Sequence, residues 1–319
     1  MNEVHAKARL LLAGAELYVV VGVSTVAVAT AYNSHAGVAF LLGVVLFGLI
    51  NVQHGPTWCA GASVLGAVAV FLAGMWADAA VLLAVVIGLP ALLAGSATQW
   101  ARQSALLAVP MTAAVLSTHA TMSTALARAL GLLGGALFGA IILKILKIPA
   151  PPRGDSLPLN AALLYGGVLG VVTGFATFVV TALELPHGYW LTLTFLAVMQ
   201  PSIGASRRKT LQRVAGIIVG SGAALFVASV VRAHGAVLAL GLAFAIGSAV
   251  LSTDYRWRTA LLTIGVVLLV EGSTSAESAI EVRIVLTLAG SLIVLALCYL
   301  VPAMVHVVES EVHPTHDSD

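Results

Sequence analysis

The sequence predicts an all-α, polytopic membrane protein. About twelve transmembrane helices form two parallel six-helix repeats, with pseudo-twofold symmetry along the membrane normal. Three observations predict this fold. The first is composition: 60% of the 319 residues are hydrophobic and 9% are charged, with a mean hydropathy of +1.05. An ordinary soluble domain carries roughly 25% charged residues, so this chain cannot clothe a soluble surface. Its continuous apolar runs point to spanning helices, since a crossing needs about 20 apolar residues.

The second observation is where the basic residues fall. With the N-terminus inside and twelve crossings, twelve of the 15 Lys and Arg residues lie on the cytoplasmic side, and Arg128, Arg232 and Arg283 on the other. Cytoplasmic enrichment of Lys and Arg sets orientation in a bilayer. The run Arg207-Arg208-Lys209 is read as a cytoplasmic loop anchor. The net charge of +2 gives no reason to expect a nucleic-acid partner.

The third observation is an internal duplication. At a shift of about 152, Gly14 meets Gly166, Gly22 meets Gly174, Thr25 meets Thr177 and His35 meets His187. Further along, at a shift of about 155, Arg128 meets Arg283 and Gly135 meets Gly290. Residues 1–149 are the first repeat, 150–157 a Pro-rich cytoplasmic linker, 158–306 the second repeat, and 307–319 a disordered acidic and His-bearing tail. Six crossings per half leave both halves in the same orientation, which makes the repeat parallel.

Taken in order, the crossings of the first half are 10–31, 38–52, 57–76, 79–97, 104–117 and 128–146. Those of the second are 159–182, 189–200, 211–231, 235–251, 257–271 and 283–304. The first is opened by Lys7 and Arg9 and ends near Ala29 to Ala31, in the manner of a signal peptide. It is read as retained because it has a counterpart at Leu157 to Glu184. The second and fifth crossings of each half are short, with Pro110 inside one and Pro201 ending another. Short or Pro-interrupted segments at matching positions of two repeats point to a transport site.

Catalytic signatures do not emerge. Gly204 to Thr210 (GASRRKT) lacks the Gly that a phosphate-cradling loop needs before its Lys. The G-x-S-x-G and H-E-x-x-H patterns are absent, and Cys59 and Cys298 look like small packing residues. The reading is therefore not an enzyme, with no cofactor and no metal site. His313, His316, Asp317 and Asp319 read as a solvated end.

Arg128 and Arg283 are the first site candidates, since an arginine inside a bilayer is expensive unless it faces a cavity or a partner. A pair related by the repeat axis would give a positive field and a bidentate fit to carboxylate. Tyr189, Trp190, Gln200 and Pro201 around the short second-half helix complete the substrate-binding set; the aromatics also suit interface anchors. Proton-coupling candidates are Glu184, His187, Asp254 and Glu271, with Glu16 and His35 also near helix ends. A carboxylate whose pKa is raised by burial is the usual proton carrier.

The stretches HGYWLTLTFLAVMQPSIG (His187 to Gly204), TLQRVAGIIVGSGAAL (Thr210 to Leu225) and DYRWRTALLTIGVVLLVEGS (Asp254 to Ser273), with Arg283, Thr287 and Gly290 beyond them, resemble the fusaric acid resistance and aromatic acid exporter family. The resemblance is specific over roughly 185–300. In the first half Leu132 stands where the Thr is expected, and Gly37-Val38-Ala39 where Gly-Tyr-Trp is. It implies a bacterial inner-membrane efflux protein for aromatic or related carboxylic acids; the twelve crossings and the basic-residue split put both termini on the cytoplasmic side. The proton gradient would drive it, and a periplasmic adaptor subunit and an oligomer are compatible with it. Plant aluminium-activated malate channels resemble the same fold, which gives a passive organic-anion channel as a second reading; a non-transporting membrane scaffold is a third.

Overall fold

The computed structural model describes residues 20–28, 34–146, 156–231, 233–250, 254–268 and 276–312. Glu16, Arg232, Glu271, most of the linker and the tail from 313 onward lie outside the described residues. The described chain is helical, without a strand.

A helical stretch at 20–28 is followed by one continuous rod. It consists of α1 (Ser34–Leu42), a π-helical turn (Gly43–Phe47) and α2 (Gly48–His54). This corrects the expected short second crossing of the first half: His35–His54 is 20 residues long and apolar enough to cross a membrane. Nothing in this segment interrupts it until Gly55 turns the chain at φ 92° and Pro56 opens α3 (Pro56–Met75). α4 (Ala80–Ser96) runs into a 3₁₀ turn (Ala97–Trp100), and α5 (Gln103–Val115) carries Pro110. α6 (Met122–Ile145) is capped by Thr121, whose hydroxyl accepts from the Thr124 N–H at 3.3 Å. Arg128 therefore sits in its second turn instead of opening it.

The second half holds α7 (Leu159–Ala182), α8 (Tyr189–Val198), α9 (Ile203–Val230), α10 (His234–Val250), α11 (Tyr255–Val266) and α12 (Ala276–Val312). Ser202 caps α9, so the helix starts eight residues before the expected crossing. Arg207, Arg208 and Lys209 thus lie within its first two turns, which corrects their reading as a loop. α12 begins upstream of Arg283 and runs on to Val312, past the expected boundary at 306. Among the described residues, seven helical runs are long and apolar enough to cross a membrane, so the chain is a multi-pass helical membrane protein. α5, α8 and α11 are the short ones, at 13, 10 and 12 residues.

Close crossings of small residues hold the bundle, as expected where lipid supplies little driving force between helices. α4 and α7 make the most extensive contact. A Cβ on Gly170 would lie 2.6 Å from Leu92 Cβ and 2.9 Å from the Gly88 carbonyl oxygen, so only glycine allows this approach. α6 lies against α1 and the π turn in the same way: a Cβ on Gly139 would stand 2.6 Å from the Val44 carbonyl oxygen. The core between these pairs is Ala, Val and Leu, with Phe47, Leu132 and Trp190 as its large members.

Candidate functional site

The short helix α8 is built to place an aromatic pair. α7 ends in a paired turn in which the Leu185 N–H donates to the Val180 carbonyl and the Glu184 N–H to that of Thr181. Glu184 stands at φ 50° in the left-handed position that glycine usually fills in such a cap. His187, at φ 53°, repeats that conformation and starts α8 at once. The unusual backbone here fixes Tyr189 and Trp190 at the first turn of α8.

From there the side chains run inward. His187 is exposed and meets the half-buried Tyr189 edge-on, with ring centroids 6.2 Å apart. Tyr189 lies 4.9 Å from Trp190, which is 5% exposed. The Arg283 guanidinium, 3% exposed, lies 3.8 Å from the Trp190 ring centroid and donates to the Thr263 hydroxyl of α11 at 3.3 Å. A desolvated cation on an indole face gains about 2 kcal/mol. Trp190 is thus no interface anchor, contrary to its simplest sequence reading; it is the floor beneath a buried arginine.

Arg283 heads a polar stripe. Thr287 and Ser291 follow at intervals of four, all buried, so one face of α12 carries three polar groups over about 12 Å. The other face, with Val285 and Leu292, is exposed to the surroundings. Gly290 brings this stripe against Thr194 of α8, at 3.1 Å from its methyl carbon to an added Cβ. Nearby, the buried hydroxyls of Thr177 and Thr192 meet at 3.1 Å across α7 and α8. The Trp190 indole N–H and the hydroxyls of Thr173, Thr287 and Ser291 are buried with no hydrogen-bond partner among the described residues. Buried polar groups normally have one. The groups of Trp190, Thr287 and Ser291, on α8 and α12, have the chemistry of a ligand or water route, whereas Thr173 belongs to α7.

Arg128 is used differently. Its Nη1 donates to the carbonyls of Leu116, at 3.0 Å, and Thr118, at 2.7 Å, so it caps the end of α5. It is 1% exposed, with its Nε–H unpartnered among the described residues. Gln200 and Pro201 lie at the far end of α8 from Trp190. There the Met199 carbonyl accepts from Tyr165 at 3.0 Å and from the Gln200 amide at 2.6 Å, while the Ser206 hydroxyl bonds both backbone groups of Gln200. The backbone groups freed by the helix break are taken up by these neighbours and do not line an open space. Pro201 itself is exposed.

Among the proton-coupling candidates, Glu184 and His187 are exposed loop residues. Asp254 caps α11, accepting from the Arg256 N–H at 2.8 Å. Glu271 lies outside the described residues. Sequence reasoning missed Thr263, Thr173, Thr194 and Ser291. The signal available was polar residues at a spacing of four in otherwise apolar helices, which marks one face. Two surface grooves, of about 330 Å³ around Trp58 and about 660 Å³ around Lys144, lie on the first half, away from these residues.

The resemblance read from the sequence is found: the fusaric acid resistance protein-like family matches residues 172–297, which include α8, the polar stripe and Arg283. Among curated proteins, the chain is 33% identical over 140 residues to the uncharacterized protein YhfK of Escherichia coli, covering 42% of this chain and 19% of that one. It is 27% identical over 152 residues to an uncharacterized protein of Synechocystis, covering 46% and 20%. The matched part spans about a fifth of the length of these relatives. No solved structure matches.

Proposed function

Proceeding from that family likeness, we propose that the protein exports small organic anions across the bacterial inner membrane, with aromatic carboxylates as the substrate class and the proton gradient as the driving force. One observation carries this reading: the buried Arg283 guanidinium on the Trp190 ring, from which the contacting rings of Tyr189 and His187 extend to the surface. A guanidinium matches a carboxylate, and a run of aromatic side chains beside it matches an aromatic body. A buried arginine in a membrane-spanning helix marks a functional pathway by default. Arg128 adds rigidity and positive field without touching substrate, because its Nη1 is spent on two carbonyls at the end of α5.

The twofold plan belongs to the same proposal and is supported by matching packing pairs. α1 packs on α6 as α8 does on α12, and α3 packs on α5 as α9 does on α11. The first crossings are exchanged between halves: α7 packs on α4, and Gly22 of the 20–28 stretch approaches Leu242 of α10. The halves are unequal in polarity. Thr287, Ser291, Trp190 and Thr194 correspond to Leu132, Ala136, Ala39 and Gly43. We therefore place the route in the second half, with the first half as its sealed counterpart.

A passive anion channel is the second reading. It is favoured by Glu184 and Asp254 standing exposed at helix ends, away from the buried stripe. Uptake of labelled aromatic carboxylates into inverted membrane vesicles, with and without an imposed proton gradient, separates the two. Gradient-dependent accumulation supports the exporter. Flux that only equilibrates and follows voltage supports the channel, and no flux for any anion tested removes both.

A further inference from the structure

α9 carries a second buried arginine in the polar half of the chain. Arg213 is 8% exposed, and its Nε–H is buried with no hydrogen-bond partner among the described residues. The other basic side chains of this helix are placed otherwise. Arg207 lies 5.9 Å from the Tyr299 ring centroid, Lys209 lies 5.0 Å from that of Tyr255, and Arg208 is exposed. For Arg213 no ring, carboxylate or carbonyl partner is found among the described residues. A cation taken out of water in this way costs free energy until an anion or a set of dipoles meets it.

Helix packing puts Arg213 in line with Arg283. A Cβ on Gly216 would lie 2.9 Å from Thr259 Cβ, and one on Gly220 would lie 2.8 Å from Thr263 Cβ. α9 and α11 therefore run side by side in the same direction. Thr263 is the residue that accepts from the Arg283 guanidinium. Thr259 and Thr263 are both buried and share one face of α11, a turn apart. Arg213 precedes Gly216 by three residues and Gly220 by seven, on the same side of α9. Its backbone thus stands about 10 Å from the level of Thr263, towards the Ser202 end of the helix. Thr259 lies at a level between the two. Ser221, beside Gly220, adds a buried hydroxyl with no partner among the described residues.

The first half lacks this ladder. At the shift of about 155, Trp58, Ala108 and Gly66 stand where the second half has Arg213, Thr263 and Ser221. Buried polar groups thus follow the half in which Arg283 lies on Trp190.

We propose that Arg213 is a second carboxylate-binding station, nearer the Ser202 end of α9 than Arg283 and joined to it by Thr259 and Thr263. On the proposed topology that end is cytoplasmic, so an exported anion meets Arg213 first. Two cations along a line of hydroxyls let a carboxylate move inward without losing a charged partner, and several sites of moderate strength favour release as well as entry. The station rests on the transport reading and adds an entry site to it.

Uptake of labelled benzoate by the full chain, measured from each face, is the test. Inverted membrane vesicles offer the cytoplasmic side and right-side-out vesicles the other. Arg213→Gln is expected to raise half-saturation at least about tenfold from the cytoplasmic side, the effect of one charge-assisted contact, and to match the parent from the other. Arg283→Gln raises it from both sides, and the exposed Arg208→Gln from neither. Without substrate, Arg213→Gln should melt no lower than the parent, because the guanidinium it removes ties no other group among the described residues. A lower melting point makes Arg213 structural and overturns the proposal. An equal rise from both sides, or an equal rise in Arg208→Gln, overturns it too. Benzoate uptake that depends on Arg283 but is unchanged in Arg213→Gln overturns the station alone. A parent that carries no benzoate from either side overturns the transport reading and the station with it.

Discussion

Arg128→Gln separates a structural arginine from a substrate arginine. The parent guanidinium donates from Nη1 to the carbonyls of Leu116 and Thr118, at 3.0 and 2.7 Å, in a site 1% exposed. Each charge-assisted hydrogen bond is worth about 1.5–3 kcal/mol, and glutamine is too short to reach either carbonyl, so the loss is about 3–6 kcal/mol. Arg128→Lys keeps a cation near the C-terminal end of α5, which retains about 0.3–1 kcal/mol of the helix-dipole part and places it between the two. Thermal unfolding of the purified protein in detergent is the assay, paired with half-saturation for transport in the fraction that remains folded. Arg128→Gln should melt several degrees below the parent with half-saturation unchanged. Melting with the parent, together with a raised half-saturation, would refute the capping role and put Arg128 on the substrate.

Gly170→Leu should abolish monodisperse folded protein on size exclusion, because its Cβ has 2.6 Å to Leu92 Cβ. Gly167→Leu, where nothing stands within 4 Å of an added Cβ, should behave as the parent; equal behaviour of the two would sink the close-crossing argument. Tyr165→Phe removes the donor to Met199 at 3.0 Å and the acceptor for Gln103 at 2.6 Å. It should lower stability by about 1–3 kcal/mol, and an unchanged melting point would show that the end of α8 is held otherwise. Cysteines placed at Asp78 and at Arg208 should label from opposite faces of the membrane in otherwise intact cells, and labelling from one face would contradict the proposed topology.

The helical membrane class was legible because the apolar runs are continuous over the length of a crossing, which fits helices and not the alternating strands of a barrel. The short helices were legible where proline marks them, at Pro110 and Pro201. The first-half rod was not: a π turn over Gly43–Phe47 carries the helix on to His54, and no sequence signal distinguishes that from a break. Arg128 and Arg283 align at a shift of about 155 in the sequence, yet their separate uses were not visible there. One reaches backbone carbonyls, which carry no side-chain signature, and the other lies on an indole that the first half lacks. The stripe of Thr287 and Ser291 was readable in principle from its spacing of four. Its burial depended on which face of α12 meets α8, and that is set by the approach at Gly290.

Transport by Arg283→Gln and Arg283→Lys at limiting labelled aromatic carboxylate, in inverted vesicles matched for protein content and melting behaviour, decides whether substrate passes Arg283. Both variants are expected to raise half-saturation by about tenfold or more, the effect of losing one charge-assisted contact, with Lys affected less than Gln. Parent-like transport by both at limiting substrate would contradict a route past Arg283.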